Sequence, residues 1–203
     1  MPKSSFGAGF GFSKSRGGIA GEGARQSQDA ADQRPRLPNF RASCDGDLET
    51  YWFEGRSSKR MIHGYASTPT HCRSSRKNAE LTSLSPRGCF VKFPLAIYSE
   101  HAPHKLGDEI PRIGEIVYLR KSSQNVYVRG IIDEGSEAAD YAWKLIKDRE
   151  IGMFSVLSHT IKLSGVVNDV HFVSFWECKE ISICRQGANP DCHFEVFDPD
   201  AGR

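Results

Sequence analysis

The chain contains no run of eighteen or more apolar residues, so no part of it reads as a transmembrane helix. Its N-terminus lacks the apolar stretch followed by small residues that a secretory signal needs, and the expectation is a protein that stays in a cytosol. It also lacks a C-x-x-C pair. The six cysteines, at 44, 72, 89, 178, 184 and 192, are scattered, which argues against a disulfide framework and for reduced thiols. Cys178, Cys184, Cys192 and His193 have the chemistry of zinc ligands but not the spacing. On a strand, Cys178 and Cys184 stand about 20 Å apart, and buried small side chains are the simpler reading. Nor is there a strong charge of one sign: 27 Lys and Arg against 25 Asp and Glu give +2, too little to argue for nucleic acid. Residues 1–43 hold seven basic and three acidic residues, which leaves 20 and 22 for the remainder, so the excess sits in the arm.

What is present suits one domain with tails. A length of 203 residues with 38% hydrophobic content supports a single core. Residues 1–43, rich in Gly, Ser, Arg and Gln, are expected to be a disordered basic arm, 44–198 the domain and 199–203 a tail. Strand-like alternation appears at Thr50–Phe53 and Met61–Ala66, which look like a hairpin, and again at Phe93–Tyr98, Gly114–Leu119 and Val126–Ile132. Residues 67–88, with Pro69 and Pro86, read as a long connection. Ser136 can cap a helix with Glu137 and Asp140 in its first turn, Lys147 and Arg149 in its last, and a buried face of Ala138, Ala142, Leu145 and Ile146. Beyond Gly152 the pattern alternates over Met153–Leu163, then near Val170–Trp176, Cys178–Arg185 and His193–Phe197. Many strands with one convincing helix predict a mainly β, α+β domain, an antiparallel sheet curled into a barrel with a helix packed on it.

Three residues could cooperate in nucleophilic catalysis: His101 just beyond a strand, Ser155 inside one and Glu180 inside another. A serine hydroxyl is a weak nucleophile until an imidazole takes its proton, and that imidazole needs a third group to fix its tautomer. Residues 126–156, V-Y-V-R-G-I-I-D-E-G-S-E-A-A-D-Y-A-W-K-L-I-K-D-R-E-I-G-M-F-S-V, resemble the prohead maturation proteases of tailed bacteriophages. In that family a strand ending in aspartate leads to a helix of this form and then to the strand bearing the serine. Residues 180–190, E-I-S-I-C-R-Q-G-A-N-P, resemble its glutamate-bearing stretch. P-L-A-I-Y-S-E-H from 94 and I-P-R-I-G-E-I-V from 110 resemble its histidine strand and the P-I-G-x-V stretch after it, and I-H-G-Y-A-S at 62–67 its opening strand. The likeness runs from about 50 to 197.

The resemblance implies an assemblin-like β-barrel with helices, related to herpesvirus assemblin, and a serine endopeptidase with Ser155 as nucleophile, His101 as base and Glu180 holding the imidazole. Val156-Leu157-Ser158 replaces a glycine-containing stretch, which makes Ser158 the rival nucleophile; Ala102 stands where the family has Asp, His104 follows closely, and Glu177 competes for the role of Glu180. Implied substrates are the capsid scaffolding protein, the major coat protein and the chain itself, with the arm and residues 67–88 as sites of self-cleavage and self-association expected. The implied location is the bacterial host cytoplasm, inside the assembling prohead. No metal or organic cofactor is expected, no membrane, and nucleic acid is an unlikely partner. The rival class is a catalytically silent protease fold serving as scaffold or assembly factor.

Overall fold

The alternating stretches become strands whose partners the sequence does not name. A computed structural model describes residues 39–73, 80–100, 111–158 and 160–197; His101, Ala102, His104, most of the arm and the tail lie outside them. In chain order the strands are β1 (Phe40–Asp45), β2 (Leu48–Phe53), β3 (Met61–Ser67), β4 (Cys72–Arg73), β5 (Leu81–Leu84), β6 (Cys89–Val91), β7 (Leu95–Ser99), β8 (Gly114–Lys121) and β9 (Val126–Ile132). Helix α1 (Glu137–Lys147) comes next, then β10 (Met153–Leu157), β11 (Ile161–Val167), β12 (Val170–Cys178), β13 (Glu180–Cys184) and β14 (Phe194–Val196).

Nine strands make one sheet in the order β10-β13-β7-β8-β9-β3-β14, with β2 against the far half of β8 and β1 outside it. The sheet nearly closes into a barrel. Met153 bridges His193, the Phe154 amide donates to the Cys192 carbonyl at 2.7 Å, and the Phe194 amide to the Gly152 carbonyl at 3.0 Å. Inside lie Ile62, Ile97, Ile116, Val128, Ile132, Ile181 and Ile183, all fully buried. A second sheet, β11-β12-β5-β4 with β6 beside β12, shares the core through Trp176, whose indole N–H donates to the Ser85 carbonyl at 2.8 Å. Helix α1 buries Ala139, Ala142, Leu145 and Ile146.

Among the described residues the mainly β reading with one α-helix holds, and several local expectations do not. β2 and β3 are not a hairpin: β2 pairs with β1 and β8, β3 with β9 and β14. The stretch read as a long connection contains β4 and β5, and β1 begins inside the segment read as arm, because Phe40 packs against Phe53 and Phe93 at ring distances of 5.3 and 5.2 Å. Three pairings are parallel: β12 with β5, β12 with β6, and β13 with β7. Ser136 holds the N-cap position without a side-chain cap bond, Arg149 lies beyond the helix, and the buried face includes Ala139, with Ala138 only partly buried.

The Met153–Leu163 alternation is two strands in two sheets. β10 pairs with β13, and β11 pairs with β12 in the same register apart from an irregularity at Leu163, so the two pairs make an antiparallel ribbon that turns at Asn168-Asp169, both with positive φ as a tight hairpin requires. The ribbon passes between sheets beyond Leu157 and at Lys179. There the Glu177 amide donates to the Thr160 carbonyl at 3.0 Å and the Lys179 amide to the Leu157 carbonyl at 2.9 Å.

At the seam, Gly64 of β3 pairs with Phe194, and a Cβ on it would overlap the His193 carbonyl oxygen. Only glycine allows this approach. Gly64→Ala is expected to cost about 1–3 kcal/mol, a fall of roughly 2–10 °C in Tm by differential scanning calorimetry for a domain of this size; an unchanged Tm would show that the seam does not hold the barrel.

Candidate active site

β10 presents its residues alternately to the two faces of the sheet. Phe154 and Val156 point into the core, which leaves Met153, Ser155 and Leu157 on the opposite face. On β13, Ile181 and Ile183 enter the core, and Glu180, Ser182 and Cys184 share the face of Ser155. The register sets Ser155 directly opposite Ser182 and Leu157 opposite Glu180, so Ser155 and Glu180 are diagonal neighbours. All three polar residues are buried, with Ser155 8%, Glu180 4% and Ser182 0% exposed. A buried carboxylate is costly unless hydrogen-bonded, and the Ser182 hydroxyl donates to Glu180 Oε1 at 3.0 Å.

β7 lies parallel on the other side of β13, with Tyr98 level with Ser182 and Ser99 with Ile183. Its exit is fastened twice. The Glu100 amide donates to the Ile183 carbonyl at 3.0 Å, and Glu100 Oε1 accepts the Arg185 amide at 3.1 Å. The chain carrying His101 therefore leaves from beside β13, one strand from Ser155; His101 itself lies outside the described residues. A second imidazole stands on the other flank. His193 shares the row of Met153, two residues before Ser155, and so is diagonal to it.

The rival residues fall elsewhere. Ser158 lies past the end of β10, and its hydroxyl donates to the Thr160 carbonyl at 2.9 Å. Glu177 is on β12 in the other sheet, where Lys179 pairs with it and holds its carboxyl below the usual range. Glu180 is no surface carboxylate of an alternating strand. Arg185, just beyond β13, pairs with Glu150 at 3.0 Å. Ser182 and His193 are site residues that the sequence does not single out. The spacing of Glu180 and Ser182, two apart on a strand, is the available signal for Ser182, whereas nothing local places His193 beside β10.

The turn after β13 approaches the same strand. The Gly187 amide donates to Met153 Sδ at 3.3 Å, and a Cβ at Gly187 would stand 2.8 Å from the Phe154 carbonyl oxygen. The Arg185 amide on Glu100 and the Gly187 amide on Met153 thus both have partners. Three buried cysteines are poor nucleophiles. Burial pushes the Cys89 and Cys192 thiols up to about 12 and the Cys178 thiol well above its ordinary range, leaving each protonated at neutral pH. Among the described residues no group of three or more His, Cys, Asp or Glu is placed to hold a metal ion, and no helix is long and apolar enough to cross a membrane.

Two outcomes are expected from this geometry. Gly187→Ala should lower Tm by about 2–8 °C, in proportion to a strain of about 1–2 kcal/mol, because the clash is with backbone; a neutral result would mean that the turn is free to move away from β10. Brief iodoacetamide labelling of the native chain, read by peptide mass, should modify exposed Cys44 and leave Cys89, Cys178 and Cys192 unmodified until denaturant is added. Labelling of the three buried thiols at the rate of Cys44 would contradict their placement. No protein-family model, no curated protein and no solved structure matches the chain.

Proposed function

We propose that the domain is a serine endopeptidase of the prohead-maturation kind, with Ser155 as nucleophile, His101 as general base and Glu180 orienting the imidazole. The observation that carries this reading is the buried polar row on adjacent strands, Ser155 opposite Ser182 and diagonal to Glu180, beside the exit of the strand that leads to His101. A hydroxyl and a carboxylate held on rigid strands are oriented at little entropic cost when an imidazole enters between them. In the reaction, His101 takes the Ser155 proton as the hydroxyl oxygen bonds to a peptide carbonyl carbon. It then gives that proton to the departing amine, and water releases the acyl group by the same path. The assemblin-like relation of the barrel belongs to this proposal, as do its substrates, the scaffolding and major coat proteins and the chain itself, and its place inside the prohead in the host cytoplasm.

A second reading has its own observations. Ser155 is 8% exposed, and the Arg185 and Gly187 amides are engaged, as suits a protease fold that has become a scaffold or assembly factor.

The chain and its Ser155→Ala, His101→Ala and His193→Ala variants are to be co-expressed with their coat and scaffolding proteins and weighed intact by mass spectrometry. Fragments present with the wild type and with His193→Ala, and reduced at least a thousandfold with Ser155→Ala and His101→Ala, are expected. Loss with His193→Ala and retention with His101→Ala would transfer the base to the other flank of β10. Shells that assemble with every chain uncut would favour the scaffold.

A further inference from the structure

The outward face of the barrel carries a feature that the proposed catalysis does not use. Four neighbouring strands, in the order β2-β8-β9-β3, each place one ring on the side away from the main core: Trp52, Tyr118, Tyr127 and Tyr65. The register forms two rows. Trp52, Tyr118, Arg129 and His63 lie in one; Thr50, Arg120, Tyr127 and Tyr65 lie in the next. Strands about 4.8 Å apart make the platform about 14 Å wide. Tyr65 is 41% exposed, and the other three rings are partly exposed.

Two guanidinium groups are built into this platform. Arg129 lies 4.9 Å from the Tyr118 ring centre and 4.5 Å from that of Phe197, and Arg120 lies 5.2 Å from that of Tyr127. Tyr127 is fixed at the middle, its hydroxyl 2.9 Å from His63 Nδ1 and 3.5 Å from Arg129 Nε. Among the described residues no carboxylate pairs with Arg120 or Arg129, whereas nearby Glu115 is taken by Arg56 and Arg112. Glu195 stands at the far end of the first row, beyond His63. At the other end Trp52, Tyr118 and Arg129 wall a recess of about 460 Å3 over Met61 and Val117, within the size range of ligand sites.

We propose that this face binds single-stranded nucleic acid, with bases against the rings and backbone phosphates on Arg120 and Arg129. Rings on four successive strands give every base a surface without regard to sequence, and guanidinium groups lacking carboxylates supply the positive charge. An acidic peptide would engage the two arginines and leave the ring platform unused. The chain's small net charge does not oppose this, because the charge that matters is local. The inference is independent of the proposed proteolysis.

The test is fluorescence anisotropy of a labelled twenty-nucleotide oligo-dT with the full chain, its Tyr65→Ala variant and its Arg120→Gln variant, each first checked for an unchanged circular dichroism spectrum. Binding that Tyr65→Ala weakens about fivefold or more is expected. Arg120→Gln should weaken it and lower the salt slope by about 0.7. Two substituted positions keep the outcome decisive if one variant misfolds. Absence of binding, equal binding by both variants, equal binding of duplex DNA, or competition by oligo-glutamate as effective as that by unlabelled oligo-dT would each overturn the proposal.

Discussion

The rest of the domain depends on one constraint, the antiparallel pairing of β10 with β13 and of β11 with β12, which keeps a common register on either side of an irregularity at Leu163. Because β10 and β13 belong to one sheet and β11 and β12 to the other, a single antiparallel pairing joins both layers. Slipping β10 by one residue against β13 would turn Phe154 out of the core and Ser155 into it. The hydrophobic effect that fixes Phe154 and the two isoleucines inside is thus what fixes Ser155 opposite Ser182. Burial energy is converted into the positioning of polar groups.

The second dependence is closure. An open sheet would leave β10 as an edge with unpaired amides and carbonyls, a hazard in itself. The segment at 192–194 covers that edge, and it can do so because Gly64 lets the His193 backbone come close. Closure also brings His193 to the flank of β10 opposite β13. The same barrel wall, seen from outside, carries the ring and guanidinium rows: the inward residues of β8, β9 and β3 supply the main core, and the outward ones include Tyr118, Tyr127, Arg129 and Tyr65.

Sequence pattern and structure agree where the signal is local. Val126–Ile132 emerges as a strand with the expected bounds, and the helix after Ser136 buries Ala142, Leu145 and Ile146 as its period requires. They part where pairing is long-range. Thr50–Phe53 and Met61–Ala66 are both strands, but β8 and β9 take the places between them, and no local cue encodes that. β4 and β5 are too short to show a period and exist because β12 offers a parallel edge. For the site, the family resemblance pointed to Ser155 and Glu180, and Ser158, its rival, lies past the end of β10, outside any strand alternation. The partnership of Glu180 with Ser182, and the approach of His193 and Gly187 to β10, were not legible.

The sequence by itself determined the longer strands, such as Val126–Ile132, and where the helix lies, because these depend on side-chain period and backbone preference over a few neighbours. Only the tertiary structure decided which strands are neighbours, that the sheet nearly closes, and that Ser155, Ser182 and Glu180 share one buried face. The closure of the sheet and the placing of Ser155 beside Ser182 and Glu180 join residues twenty-five or more positions apart. They are selected by the simultaneous burial of the isoleucine core and the pairing of every interior strand, a property of the whole chain that no window of it contains.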